Sequence, residues 1–187
     1  KHSQEHPQVP PCRCPNCQLA CAQEGRHTGA LGLSCLINLA GPFFQPSTSG
    51  AKYAFIVTDH YTRYVWVDFI TSKSALHTAR SFRRYRKHIS RPVHHVHTDC
   101  GSEFLGLFSS QLRDQLVRHS FSSPYASFQN AITERRVRML KEYNRCLMLE
   151  SGLPKNMWGR SMHTAAVTIN RHPVPHDPIA KKCRRSS

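Results

Sequence analysis

His97-Thr98-Asp99-Cys100-Gly101-Ser102-Glu103-Phe104 is the stretch on which the reading of this chain turns. It follows Val93 and Val96, so Asp99 reads as a carboxylate leaving the end of an apolar strand. A second acid, Glu134, opens a basic run after Ser123-Pro124-Tyr125-Ala126-Ser127-Phe128-Gln129-Asn130-Ala131-Ile132-Thr133. One carboxylate at a strand end and another on a later basic helix is how a chain assembles a divalent-metal site for phosphodiester chemistry. Upstream, in Leu36-Ile37-Asn38-Leu39-Ala40-Gly41-Pro42, the strand position that should supply a further carboxylate carries Asn38.

Working outward, Leu33 to Leu39 reads as a buried strand broken by Gly41-Pro42, Ala54 to Thr58 as a second, and Tyr64 to Ile70 as a third. Asp59-His60-Tyr61-Thr62 supplies turn chemistry between the last two. Three neighbouring strands joined by short turns should pair antiparallel. Ser74 to Lys87 is helical, with Ala75, Ala79 and Phe82 inward and a cationic outer face of Arg80, Arg83, Arg84, Arg86 and Lys87. It leads as a crossover into the strand ending at Asp99. Phe104, Phe108, Leu112 and Leu116 recur every fourth residue and predict a second helix, His119 to Ser122 a short fifth strand, and the residues up to Thr133 a polar loop. Helices over Ile132 to Glu150 and around Trp158, Met162, Ala166 and Ile169 complete the pattern.

A length of 187 residues with 39% hydrophobic content suits one core domain plus ragged ends, and Lys1 as first residue suggests a fragment. No apolar run approaches the roughly 20 residues that span a bilayer, and no signal segment opens the chain, so a soluble, intracellular protein without membrane partners is expected. Lysine and arginine total 26 against 11 acids, a formal charge of +15. That imbalance favours a polyanion, and nucleic acid above all, because neutralising phosphates releases counterions whatever the base sequence.

Of the eight cysteines, four crowd the start and four are scattered as reduced, buried thiols would be. Cys14-Pro15-Asn16-Cys17 has the two-residue gap of a zinc knuckle, and His2 and His6 are spaced to share a helical face. These four are candidate Zn²⁺ ligands, with Cys12 and Cys21 as competitors and a decayed or truncated head as the alternative.

Glu134, Arg138, Lys141 and Arg145 fall at offsets of four, seven and eleven, so all four share one helix face. A carboxylate with cations trailing behind it suits a helix that tracks DNA, since phosphates must be held while one is attacked. The same spacing also describes an ordinary solvated face on which Glu134 pairs with Arg138.

Taken together, these motifs resemble the ribonuclease-H-like core of retroviral and retrotransposon integrases, and the copia-type retrotransposon integrase in particular. The resemblance rests on Asn38-Leu39-Ala40-Gly41-Pro42, on Asp59-His60-Tyr61-Thr62-Arg63, and on the intact Asp99-Cys100-Gly101-Ser102-Glu103-Phe104. It continues through Pro124-Tyr125, Gln129-Asn130 and Glu134-Arg135 to Leu153-Pro154-Lys155, Trp158 and Ile169-Asn170-Arg171, spanning roughly residues 30 to 174. It implies an α/β fold: a mixed sheet of about five strands, three antiparallel then parallel, flanked by helices. The organisation would be a zinc-binding-like head over 1–29, the core over 30–174 and a basic tail over 175–187.

The resemblance further implies a polynucleotidyl transferase in which three carboxylates hold two Mg²⁺ or Mn²⁺ ions. Asp99 and Glu134 match two ligands and Asn38 replaces the third. Tyr125, Gln129, Asn130, Arg135, Arg138, Lys141 and Arg145 would contact DNA, the partner being element ends and target DNA in the nucleus, with the chain acting as a homo-oligomer. Asparagine is neutral and cannot bridge two cations with equivalent anionic oxygens, so 3′-end processing and strand transfer should be severely reduced. Asp59 is the nearest other acid and is expected to stabilise its turn. Ser127, Phe128 and Ala131 stand where the family's flexible loop has Pro, Gln and Gly. Two functions follow: an impaired integrase core, or a catalytically inactive, domesticated nucleic-acid-binding remnant of a retrotransposon polyprotein. A ribonuclease on the same fold is disfavoured by the Pro-Tyr, Gln-Asn, Glu-Arg run.

Overall fold

Alternating apolar side chains produce the strands, and the lengths of their connections decide how they pair. In the computed structural model, which describes residues 33–60, 62–89, 91–122 and 127–171, strands β1 (Leu33–Ala40), β2 (Tyr53–Asp59) and β3 (Val65–Ile70) form successive antiparallel pairs. Helix α1 (Ala75–His88) carries the chain to β4 (Val93–Thr98), parallel to β1, and α2 (Leu107–Asp114) to β5 (Arg118–Phe121), parallel to β4. The short β2–β3 turn can only reverse the strand, whereas each parallel return runs through a crossover that holds a helix. The sheet order is β3-β2-β1-β4-β5, and the described fold lies within a compact unit, Leu31–Asn170. This is the mixed five-stranded α/β sheet the sequence predicts, with helices on both faces.

Period two sorts the side chains into two cores. Cys35 and Ile37 of β1 and Phe55 and Val57 of β2 meet Ala79, Phe82 and Tyr85 of α1 and Phe108 and Leu112 of α2. On the opposite face Ala40, Ala54, Ile56, Val65 and Val67 meet Val137 and Leu140 of α3 (Ser127–Ser151) and Met162, Ala165 and Ile169 of α4 (Trp158–Arg171). β1 lies between two other strands and under helices on both faces, so its register fixes everything beside it.

The closing motifs are structural clamps. The Trp158 indole donates to the Gln45 carbonyl at 2.9 Å, stacks on Phe43 with centroids 3.9 Å apart, and meets Phe69 edge-on. The Asn170 amide pairs with the Val65 backbone in both directions, accepting from N–H at 2.8 Å and donating to C=O at 2.7 Å. It thereby satisfies edge-strand groups that would otherwise lack a partner.

Two sequence expectations are corrected. Helix α3 begins at Ser127, where a polar loop up to Thr133 was expected. No glycine or proline interrupts Ser127 to Ser151, and alanine at 131 favours helix over glycine by about 1 kcal/mol, so the helix propagates backwards through the segment. Leu116 does not continue the apolar stripe of α2, which ends at Asp114; it adopts a φ of 56° and is 92% exposed, while Val117 turns inward. Phe108→Ala should therefore cost about 3–5 kcal/mol in chemical denaturation, and Leu116→Ala less than about 0.5 kcal/mol. Equal losses at the two positions would contradict this helix end.

His119 of β5 shares hydrogen bonds with Thr98 (3.0 Å) and Ser109 (3.1 Å) and packs on Phe108 and Phe121. Burial, followed by the neighbouring His95 and His97, pushes its pKa down to about 4. The unfolded imidazole titrates near 6.5. The unfolded chain therefore takes up the proton first, and the stability His119 contributes is complete above about pH 6.5 and is lost as pH falls through about 4. The Tm difference between the wild type and His119→Gln should shrink over that interval. A difference that stays constant from pH 7 to 4 would contradict the neutral, half-buried imidazole.

Candidate metal and nucleic-acid site

Along β1, Leu36, Asn38 and Ala40 face the α3 side, and Asn38 is level with Ile56 of β2. In the parallel ladder Leu36 is level with His97 of β4. Asn38 and Asp99 each stand two residues beyond that last pair, so the parallel strands carry both toward the same sheet end. Asn38 is half-buried; Asp99 is exposed, its Oδ1 accepting the Gly101 N–H at 3.0 Å. Helix α3 crosses this face against β1 and β2. Glu134 lies about two turns into it, one turn before the buried Val137, and is exposed.

Asp59 is placed elsewhere. It is level with Cys35, three residues before Asn38 and on the opposite face, which puts it roughly 10 Å away along the strand. Its Oδ2 accepts the Thr62 N–H at 2.8 Å and the Thr62 hydroxyl at 2.6 Å. The carboxylate organises the β2–β3 turn and does not replace the acid missing at 38.

Sequence reading missed an ion pair near Asp99 between a buried carboxylate and a half-exposed lysine. Glu103 is 2% exposed, in the short 3₁₀ turn Ser102–Phe104; its Oε1 meets Lys73 Nζ at 3.1 Å, and Thr78 donates to its main-chain carbonyl at 2.7 Å. Gly101 is needed here because a Cβ would stand 2.6 Å from Glu103 Oε2 and 2.8 Å from Oε1. The Asp-x-Gly-x-Glu-Phe run is thus one packed unit, with Phe104 driven into the core against Phe108. Glu103 holds the Lys73 ammonium in its charged form, with Asp99 adding a smaller pull in the same direction.

A second missed feature lies on the same face of β4. His95 and His97 share the Ser120 hydroxyl at 2.7 and 2.8 Å, and their other ring nitrogens meet Ser34 at 3.0 Å and Ser122 at 3.1 Å. Burial, followed by His97, Arg118 and His60, lowers the His95 pKa. The rings pin β1, β4 and β5 together beside the Asn38–Asp99 end. Their alternation along Val93–Thr98 was the available signal.

Arg135, Arg138, Lys141 and Arg145 are all exposed on α3. Gln129 and Asn130 fall in the opening turns of α3, with side chains outside the described set. Tyr125, the candidate zinc ligands His2, His6, Cys14 and Cys17, and the basic tail lie outside the described residues.

A pair of divalent cations would demand more of these donors than they offer. Asp99 offers carboxylate oxygens, but Asn38 offers only a neutral amide, and the Lys73 ammonium is paired with Glu103 four residues after Asp99. Hard cations of this kind are held by several carboxylate oxygens. Among the described residues no group of three His, Cys, Asp or Glu side chains is placed to hold a metal ion. The donor set as it stands does not fit two Mg²⁺ ions. Among the same residues, no helix is long and apolar enough to cross a membrane.

No family model matches the chain. It is 26% identical over 141 residues to the retrovirus-related Pol polyprotein of transposon TNT 1-94 from Nicotiana tabacum, covering 73% of this chain and 10% of that protein. It is also similar to the corresponding polyproteins of Arabidopsis thaliana transposons RE1 (28% over 126 residues, 66% of this chain, 8% of the relative) and RE2 (29% over 135 residues, 69% and 9%). The chain thus spans about a tenth of these relatives. Its fold matches the integrase catalytic core of HTLV-2, solved with magnesium in a trimeric form, at a TM-score of 0.57 with 17% identity, covering 75% of this chain and 86% of that one. The match to the catalytic core of BIV integrase has a TM-score of 0.61 with 15% identity, covering 81% and 94%. In sequence the chain is similar to plant retrotransposon Pol polyproteins, and its fold matches that of retroviral integrase catalytic cores.

Proposed function

We propose that this chain is an integrase-core segment of a retrotransposon Pol polyprotein that binds DNA along the basic face of α3 and has strand-transfer chemistry severely reduced by Asn38. The observation that carries this reading is the register that sets Asn38 beside Asp99 at one strand end. An acid at 38 would complete a carboxylate pair there; the amide leaves one neutral carbonyl oxygen. The Pol polyprotein relatives and the integrase-core fold match support the context, and the exposed Arg135, Arg138, Lys141 and Arg145 supply the phosphate-binding charge. Zinc binding by the head, homo-oligomerisation and a nuclear location belong to the same proposal.

One observation favours the second reading, a DNA-binding module without catalysis. α3 runs uninterrupted from Ser127, so the segment that would need to flex beside the reacting phosphate is helical. Both readings meet in one experiment: Mg²⁺- or Mn²⁺-dependent strand transfer on a labelled DNA end. The wild type should be silent or nearly so, Asn38→Asp active, and Asn38→Asp with Asp99→Asn silent again. Wild-type activity equal to that of Asn38→Asp would overturn the role of Asn38, and silence of all three despite tight DNA binding would establish the binding module.

A further inference from the structure

The corner formed by Asp99, Gly101, Glu103 and Lys73 has a feature that carboxylate chemistry alone does not use. Glu103 is almost wholly buried, and its Oε2 has no hydrogen-bond partner. Burying an anion is costly unless a cation compensates it. Here the compensation comes from a side chain that is itself 51% exposed, Lys73, through a single contact at Oε1. An ammonium carries three donors. One is committed to Glu103, which leaves two directed from a half-exposed position. Glu103 in turn lies against Gly101, whose N–H is bonded to Asp99. Lys73 is therefore tied through one rigid turn to the residue that marks the candidate site, and its charge is felt there.

A long, flexible lysine ordinarily loses side-chain entropy when a phosphate immobilises it. Anchoring by a buried carboxylate makes that loss during folding, so the ammonium meets its ligand already placed. It also softens the repulsion that Asp99 would exert on an approaching phosphodiester.

We infer that Lys73, positioned by the buried Glu103, grips a backbone phosphate of the bound DNA beside Asp99. This rests on the DNA-binding reading above and adds a specific contact at the turn after β4, separate from the α3 cations. Arg138 belongs to the α3 set and serves as the comparison.

The test is fluorescence anisotropy of the full chain with a labelled DNA duplex across a salt series, in EDTA and in Mg²⁺, with Tm measured for each variant. Lys73→Gln should weaken binding and make the slope of log affinity against log salt shallower by about 0.9, the loss of one phosphate contact. Lys73→Arg should restore the slope. Glu103→Gln keeps the Lys73 charge but removes its anchor, so it should weaken binding while leaving the slope near that of the wild type. A Lys73→Gln protein with lowered Tm and an unchanged slope would show Lys73 to be only the structural partner of Glu103, and would overturn the inference. If the wild type binds and Arg138→Gln reduces the slope while Lys73→Gln does not, the inference falls and the DNA-binding reading stands. If the wild type shows no salt-dependent binding, both fall.

Discussion

The parallel pairing of β1 with β4 is the constraint on which the rest depends. β1 is the central strand of five, bonded to β2 on one side and β4 on the other and covered by helices on both faces. A one-residue slip would send Cys35 and Ile37 to the α3 side and Asn38 to the α1 side, inverting both cores at once. The loss of so much packed apolar surface makes the register effectively single-valued. Once it is set, Leu36 opposite His97 determines that position 38 and position 99 are neighbours, whatever residues occupy them. Site geometry is therefore a by-product of core packing, and survives a change of side chain at 38.

The strand-end turn adds a second layer of order. Asp99 is held by the Gly101 N–H, Gly101 leaves room for the Glu103 carboxylate, Glu103 binds Lys73, and Phe104 enters the core. Each member of Asp-x-Gly-x-Glu-Phe thus has its own physical task, and of the four only the first is exposed to solvent. The histidine–serine chain across β1, β4 and β5 performs a similar service from the other direction, linking three strands through hydroxyls whose geometry rings of fixed shape enforce.

Much of this was legible in the residues because it is local. Strand alternation, the Gly41-Pro42 break, the crossover helix and the order of the acids are all patterns within a few residues. The start of α3 was not legible as helix, because Pro124 and the serines read as loop, while the helical continuity from Ser127 depends on what is absent. Leu116 was misread because a four-residue apolar spacing says nothing about where a helix stops; the turn into β5 ends it. Lys73 and Glu103 are thirty residues apart in sequence, and only the crossover of α1 brings them together. Neither residue type, nor its spacing, carries that information.

Stability and catalysis place different demands on position 38. The strand asks only for a side chain that tolerates half-burial beside Ile56, and asparagine meets that demand as well as an acid does. Metal chemistry asks for charge, and asparagine fails it. Charge on the outer face of α3 answers to neither demand: Arg135, Arg138, Lys141 and Arg145 are solvent-accessible and contribute little to folding. A chain can therefore lose the acid at 38 and keep its sheet, its two cores and its cationic surface intact. The three properties rest on different atoms, so on the proposed reading a loss of phosphodiester chemistry at 38 leaves phosphodiester binding untouched.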